Sequence, residues 1–203
     1  MRKRFLGLLA AFTAFTAFTA VLMGGARAQA DPIDYIIDPS HLTVAFKVHH
    51  VGYFNMVGLF TKGSGAFSFD EAALDVSGLK VVIATKSVFT GHKKRDAHLR
   101  SADFLNASEF PEMVFVGKSV EKTGEKTGKL QGELTLLGVT RPLTLDLRWN
   151  KAANHPIYKR WTVGVDATGT LKRSDFGMAY AVKNGWIGDD IQLTIGFEAY
   201  RDE

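Results

Sequence analysis

The sequence predicts an all-β protein, an antiparallel sandwich or barrel of about eight strands. Apolar residues alternate with period two over most of the chain, and turn residues recur at regular spacing between the alternating runs. Only one stretch of any size breaks the alternation towards a helical period. A helix-covered parallel sheet needs a crossover between each pair of strands and is therefore excluded.

The first thirty residues stand apart. MRKR precedes a long uncharged Ala/Phe/Leu/Thr run, which leads into ARAQA. This is the layout of a secretory signal peptide, residues 1–28, with cuts after Ala28 or after Ala30 both fitting the small-residue pattern. An uncleaved anchor is the competing reading, because about 20 apolar residues span a bilayer. Thr, Gly and Ala dilute the run, and the cleavage pattern follows it directly, which favours removal. The AFTAFTAFTA repeat lies inside this leader and is low-complexity filler. A single domain, 31–203, remains.

Removing the leader changes the charge argument. Four of the 25 basic residues (Arg2, Lys3, Arg4, Arg27) precede the cut and no acid does, leaving 21 basic against 21 acidic. The pI of about 9.2 thus reports the leader and supports no nucleic-acid partner. No long Lys/Arg block marks a membrane surface. Cysteine is absent from the sequence, which removes disulfides, thiol catalysis and zinc–thiolate sites together. The fold must stand on its hydrophobic core, and roughly 170 residues suffice for one.

Alternating runs are predicted around Val44–His50, Phe60–Phe69, Leu79–Phe89, Met113–Val120, Leu130–Leu137, Leu143–Trp149, Val163–Leu171 and Ile191–Phe197. In the last, Ile191, Leu193, Ile195 and Phe197 share one face, with Gln192, Thr194 and Glu198 on the other. Gly124 and Gly128 in EKTGEKTGKL, and Gly138, Thr140 and Pro142 in LLGVTRPL, mark connections. Gly63 and Gly65 suggest an irregularity or a bend.

The interruption spans 91–110. Arg95, Leu99 and Ala102 fall on one face of a helix, and Asp96/Arg100 and Arg100/Asp103 have ion-pair spacing. Asn106 three residues before Glu109 resembles a capping box, with Pro111 as a stop. Phe104 and Leu105 between them need a packing partner.

The segment also holds hydrolase residue types: His98 with Asp96 or Asp103, and Ser101. No G-x-S-x-G elbow exists in the chain, and such pairs are common on solvated helix faces. The six His show neither H-x-x-x-H nor H-E-x-x-H, and adjacent His49 and His50 point to opposite faces of a strand. No metal is expected from them. Asn-Ala-Ser at 106–108 is formally a glycosylation acceptor but reads better as a cap.

Taken in order, YIIDPSHLTVAFKVHHVGYFNMVGLF, FSFDEAALDVSGLKVVIATKSVFT, RDAHLRSADFLNASEFPEMVF, GELTLLGVTRPLTL and LKRSDFGM resemble the YceI family of polyisoprenoid-binding periplasmic proteins. The run HLRSADF followed by Pro111 is the most specific part. The resemblance implies an elongated antiparallel β-barrel, lipocalin-like, whose apolar tunnel takes a long isoprenoid chain. It also implies a periplasmic carrier or sequestering protein, with no catalytic activity and no cofactor beyond the bound lipid.

On that resemblance Phe46, Val48, Phe60, Phe67, Ile83, Phe104, Phe115, Leu145 and Val165 are the expected tail contacts. Arg95, His98 and Arg100, with Arg173 and His50, are the expected head-group contacts. The structural alternative is that Arg95 and Arg100 pair with Asp96, Asp103 or Asp175 and pin a lid. Inward facing is not fixed by sequence, since a slip of one residue inverts the tail set. A transient membrane or lipid-donor contact and a homodimer are the expected partners besides the lipid. A lipid-modifying or hydrolytic enzyme using His98, and a stress-response structural protein, are the competing functions.

Overall fold

A computed structural model describes residues 32–70 and 75–202; the predicted leader lies outside them. Among the described residues ten strands form one antiparallel sheet: β1 (Ile33–His50), β2 (Phe54–Phe60), β3 (Gly63–Asp70), β4 (Asp75–Ala84), β5 (Val88–Phe89), β6 (Glu112–Lys122), β7 (Thr127–Leu136), β8 (Val139–Asn154), β9 (Trp161–Lys172) and β10 (Ile187–Arg201). One helix, α1 (Lys93–Leu99), lies between β5 and β6.

Eight of the strands close into a barrel, in the order β1-β3-β4-β6-β7-β8-β9-β10, with β10 returning to β1. The all-β, lipocalin-like prediction therefore holds. The other two hang on the upper half of β1: Val44–His50 pairs with β2, and the two residues of β5 pair with Leu59 and Phe60. Thus the predicted Phe60–Phe69 run breaks at Thr61 and Lys62 between β2 and β3. The Leu79–Phe89 run breaks at a 3-10 turn, Thr85–Ser87.

Bulges set which side chains face inward. Ile37 and Leu42 are successive partners of β10, so four residues loop out and the inward positions of β1 change from odd (Tyr35, Ile37) to even (Val44, Phe46, Val48). The loop is pinned by Asp38, which accepts from Ser40 N (2.9 Å), Ser40 Oγ (2.7 Å) and Arg160 (3.1 Å). Partial burial works against the Asp38 charge, but the Ser40 and His41 contacts outweigh it and hold its pKa at about 2. Further register shifts fall between Gly117 and Ser119, Trp149 and Lys151, and Ala66 and Ser68.

Two predicted connections are placed differently. Gly63 and Gly65 sit in regular β3 pairing, and a side chain at either would collide with Ile83 or with Ile37. They make room for inward neighbours and are not a bend. The β7–β8 connection is only Leu137 and Gly138 (φ 52° and 72°), while Thr140 and Pro142 already belong to β8. Pro142 is tolerated there because β9 joins β8 only from Asp146 onward, which leaves no ladder bond for the missing N–H.

Packing inside the barrel is densest towards one end. Tyr35 stacks on Phe67 (5.3 Å between centroids) and Phe69 meets Trp149 (4.7 Å), with Tyr35, Ile37, Val163 and Ala199 at most 1% exposed. Towards the other end the wall residues of β10 (Ile191, Leu193, Ile195 and Phe197) point inward yet are only half-buried. An inward side chain that is not covered faces empty space.

Candidate functional site: an apolar cavity under a helical lid

That space is a continuous cavity of about 590 Å³, within the roughly 300–1,000 Å³ of small-molecule sites. It extends from α1 to the β6–β7 turn, Thr123–Lys126. Its wall from Ile187 to Phe197 is ten residue steps of strand, about 34 Å of chain and roughly 25 Å along a tilted barrel axis. Its wall is overwhelmingly aliphatic and aromatic. Polar groups reach it at the two ends: His50, Arg95, His98 and Arg173 near the lid, Lys122, Glu125 and Lys126 at the far turn.

Interior glycines shape the wall. Gly58 lies opposite Phe46, and Gly132 lies beside Phe115; a Cβ at either would strike the neighbouring ring. The rings therefore lie flat along the sheet instead of projecting across the lumen, which keeps the cavity open.

All nine sequence-predicted tail residues line this one cavity: Phe46, Val48, Phe60, Phe67, Ile83, Phe104, Phe115, Leu145 and Val165. Sequence reasoning missed Ile37, Leu42, Met56 and Val76, among others. The Ile33–Ile37 half of β1 shows too short an alternation before the looped-out residues to be read as a strand.

The predicted head-group set is brought together less completely. His50, Arg95, His98 and Arg173 border the cavity, whereas Arg100 does not and reaches back to Val88 O at 3.4 Å. Arg95 is held by Thr90, donating to Oγ1 (2.7 Å) and to the carbonyl (2.9 Å). Arg173 is 2% exposed and donates to four backbone carbonyls, of Gly188, Met178, Tyr180 and Ile187. Burial lowers its pKa from the ordinary guanidinium value, with Asp189 opposing the shift. Asp189 is itself held below its ordinary value: burial works the other way, but bonds from Ser174 N and Oγ prevail.

The lid is short and tied down. His92 caps α1, its Nδ1 accepting from Arg95 N at 3.3 Å. Asp96, 6% exposed, accepts from Thr90 N (2.8 Å) and Thr90 Oγ1. The predicted Asp96–Arg100 and Arg100–Asp103 pairs do not form, because Thr90 and the Val88 carbonyl take those groups. The helix ends at Leu99, earlier than the predicted Ala102, and the chain then turns to bury Phe104, Leu105 and Ala107. Asn106 lies at φ 40° and donates to Glu109 Oε2 (2.8 Å), a turn and not a helix cap.

His98 Nε2 meets Asp103 Oδ2 at 2.8 Å, so the two are adjacent as one predicted pairing required. Its ring packs edge-on against Phe104 (5.0 Å) and Tyr180 (5.2 Å). Ser101 Oγ donates to the His98 carbonyl at 2.8 Å, so its hydroxyl is not presented to the imidazole. Asp96 is occupied by Thr90.

Comparisons with known proteins agree with this architecture. A UPF0312 protein of Pseudomonas savastanoi pv. phaseolicola is 38% identical over 98% of this chain and 97% of its own length. One from Azotobacter vinelandii is 36% identical over 90% and 93%. The crystal structure of the Campylobacter jejuni YCEI protein superposes with a TM-score of 0.67 at 34% identity, covering 76% of this chain and 90% of that one. A structure described as a polyisoprenoid binding domain from Saccharophagus degradans shares the fold (TM-score 0.63, 14% identity, 83% and 99% covered). The YceI-like domain family matches residues 35–199, and the chain belongs to that family.

Proposed function

We propose that the protein is an exported, periplasmic binding or carrier protein for a long-chain isoprenoid lipid, a polyprenyl phosphate or a quinone-like molecule, and not an enzyme. The observation that carries this is the long cavity, whose inward side chains are left half-buried along one whole wall. The leader-like first thirty residues support export, and the described ligand class of the Saccharophagus degradans domain supports the lipid.

The energetics are sufficient. Micromolar affinity needs about 8 kcal/mol, association costs a further 4–15 or so, and each buried methylene returns roughly 0.8 kcal/mol. About 15–30 buried carbons, three to six isoprene units, cover the sum. Tail burial alone supplies the affinity, and the head group needs only modest recognition.

The test is native mass spectrometry of protein purified from a bacterial periplasm, with the released molecules identified after extraction. A stoichiometric isoprenoid adduct, absent from a folded Val165→Trp variant whose added ring fills the lumen, is the expected result. An apo mass that persists after incubation with polyprenyl phosphates and quinones would overturn the proposal. The 2.8 Å His98–Asp103 contact is the one observation on the side of a hydrolytic reading. That reading requires turnover that disappears in a folded His98→Ala variant.

A further inference from the structure

The sequence has no basic block, yet the fold gathers one face that is both aromatic and basic. Three separate segments meet around the lid end of the barrel. The β1–β2 turn carries Val51 (41% exposed), Tyr53 (87%) and Phe54 (51%), and β2 continues with Val57 (55%). The segment before β10 carries Tyr180 (44%) and Trp186 (60%). Val51 N donates to Trp186 O at 2.7 Å, which fixes these two together, and Tyr180 packs on His98 of α1. The start of α1 adds exposed Lys93 and Lys94, and the Tyr180–Trp186 segment adds Lys183.

Charge is one-sided here. His49–Val57, Gly91–Arg95 and Gly177–Gly188 contain three lysines and one arginine and no acid. The acids that flank these segments are mostly engaged: Asp96 is buried on Thr90, Asp103 meets His98, Glu109 accepts from Asn106, Asp189 accepts from Ser174 and Asp190 pairs with Lys172, while Asp175 is exposed. The opposite end of the barrel also exposes an apolar pair, Ile157 and Tyr158, but there charges of both signs are interspersed: Asp34, Glu121, Glu125 and Asp202 among Lys122, Lys126, Lys159 and Arg201.

Backbone conformation adds an independent sign. Val51 adopts φ 51° and Gly52 φ 78° in the tight turn. Asn or Gly is the usual occupant of the first position, and a β-branched residue is strained there. Strain retained to hold an apolar side chain outward at a tip indicates a use for that side chain.

We propose that this face docks on an anionic phospholipid bilayer. Trp and Tyr favour the membrane–water interface, and lysines near it are drawn to anionic head groups. His50 and Met56, on the strands that carry this face, line the cavity, so docking would set the bilayer beside the lumen that takes the tail. The proposal builds on the lipid-carrier reading. Vesicle binding by ligand-free protein tests it apart from cargo retention.

In flotation assays the ligand-free protein is expected to float with phosphatidylethanolamine vesicles containing phosphatidylglycerol, but not with phosphatidylcholine vesicles, and to be released by high salt. Tyr53→Ser/Trp186→Ser is expected to weaken binding at least about tenfold. Lys93→Gln/Lys94→Gln/Lys183→Gln is expected to weaken it about a hundredfold, since each lysine near the surface contributes about fivefold. Ile157→Ser/Tyr158→Ser, at the opposite end, is expected to leave binding unchanged. Flotation that is absent, or that is lost in the Ile157/Tyr158 variant and kept in the Tyr53/Trp186 variant, overturns the proposal. So does sedimentation showing a dimer that only Tyr53→Ser/Trp186→Ser dissociates, because the face would then belong to a second copy of the chain.

Discussion

Replacing Arg173 separates a ligand-binding cation from a structural one. Its guanidinium is buried and divides its donors among four carbonyls from two segments, Met178 and Tyr180 on one side and Ile187 and Gly188 on the other. Arg173→Met keeps much of the volume but leaves those carbonyls without their charged donor. Charge-assisted bonds of this kind contribute about 1.5–3 kcal/mol each, non-additively, and breaking such a buried centre costs about 3–5 kcal/mol. At 2–4 °C per kcal/mol for a domain of this size, the melting temperature falls by roughly 6–20 °C. Arg173→Lys is expected to recover little of this, because one ammonium cannot reach four spread carbonyls. Circular dichroism melts of ligand-free protein measure the effect. A melting temperature within about 3 °C of wild type, coupled to lost lipid retention, would refute the structural assignment and make Arg173 a head-group contact.

Two further outcomes follow from the lid and the looped-out segment of β1. Asp96→Ala removes the anchor of Thr90 and leaves a buried N–H unsatisfied; a loss of about 1–3 kcal/mol is expected, confined to the lid, with faster amide exchange over 90–105 and faster lipid release. Unchanged exchange there would show that Phe104 and Leu105 alone hold the lid. Asp38→Asn is expected to cost about 1 kcal/mol near neutral pH. Because the folded-state pKa of Asp38 lies below the ordinary 3.8, that contribution is complete above about pH 5 and is lost as pH falls through about 2. Paired melts of wild type and variant therefore converge as pH falls through about 2, and a gap that stays undiminished there would mean that the neutral carboxyl holds the loop as well as the carboxylate does.

Period-two alternation made the strands legible, because Leu143, Leu145 and Leu147 or Ile191, Leu193 and Ile195 keep one parity over a whole run. The tail set could be chosen from such runs, and its members do share a lumen. Where parity changes inside a strand, no local signal announces it. The four residues looped out before Leu42 and the shift after Gly117 conserve hydrogen bonding by skipping partners, and only the neighbouring strand records the skip. The polar partners of the lid were illegible for a related reason. Helical spacing offered Asp96 to Arg100, but burial decided the matter: the buried Asp96 carboxylate needs donors close by, and Thr90 presents an N–H and a hydroxyl. Arg173 looked like an exposed cation in KRSDFG, since nothing nearby in sequence foretells carbonyls arriving from residues 178–188.

The seam that closes the barrel joins β1 to β10, from Tyr35 against Arg201 to His50 against Ile187. These are the first and last of the described strands, so the ring cannot shut until β10 has been made. During synthesis, amino terminus first, the β10 side of β1 waits unpaired while the other strands assemble. Closure of so long a loop is slow, and an open edge of this length is a template for association with other chains. The fifteen residues of β10 therefore act as a latch, and a chain that loses them exposes β1 and β9 as two further edges beside that of the β2–β5 flap.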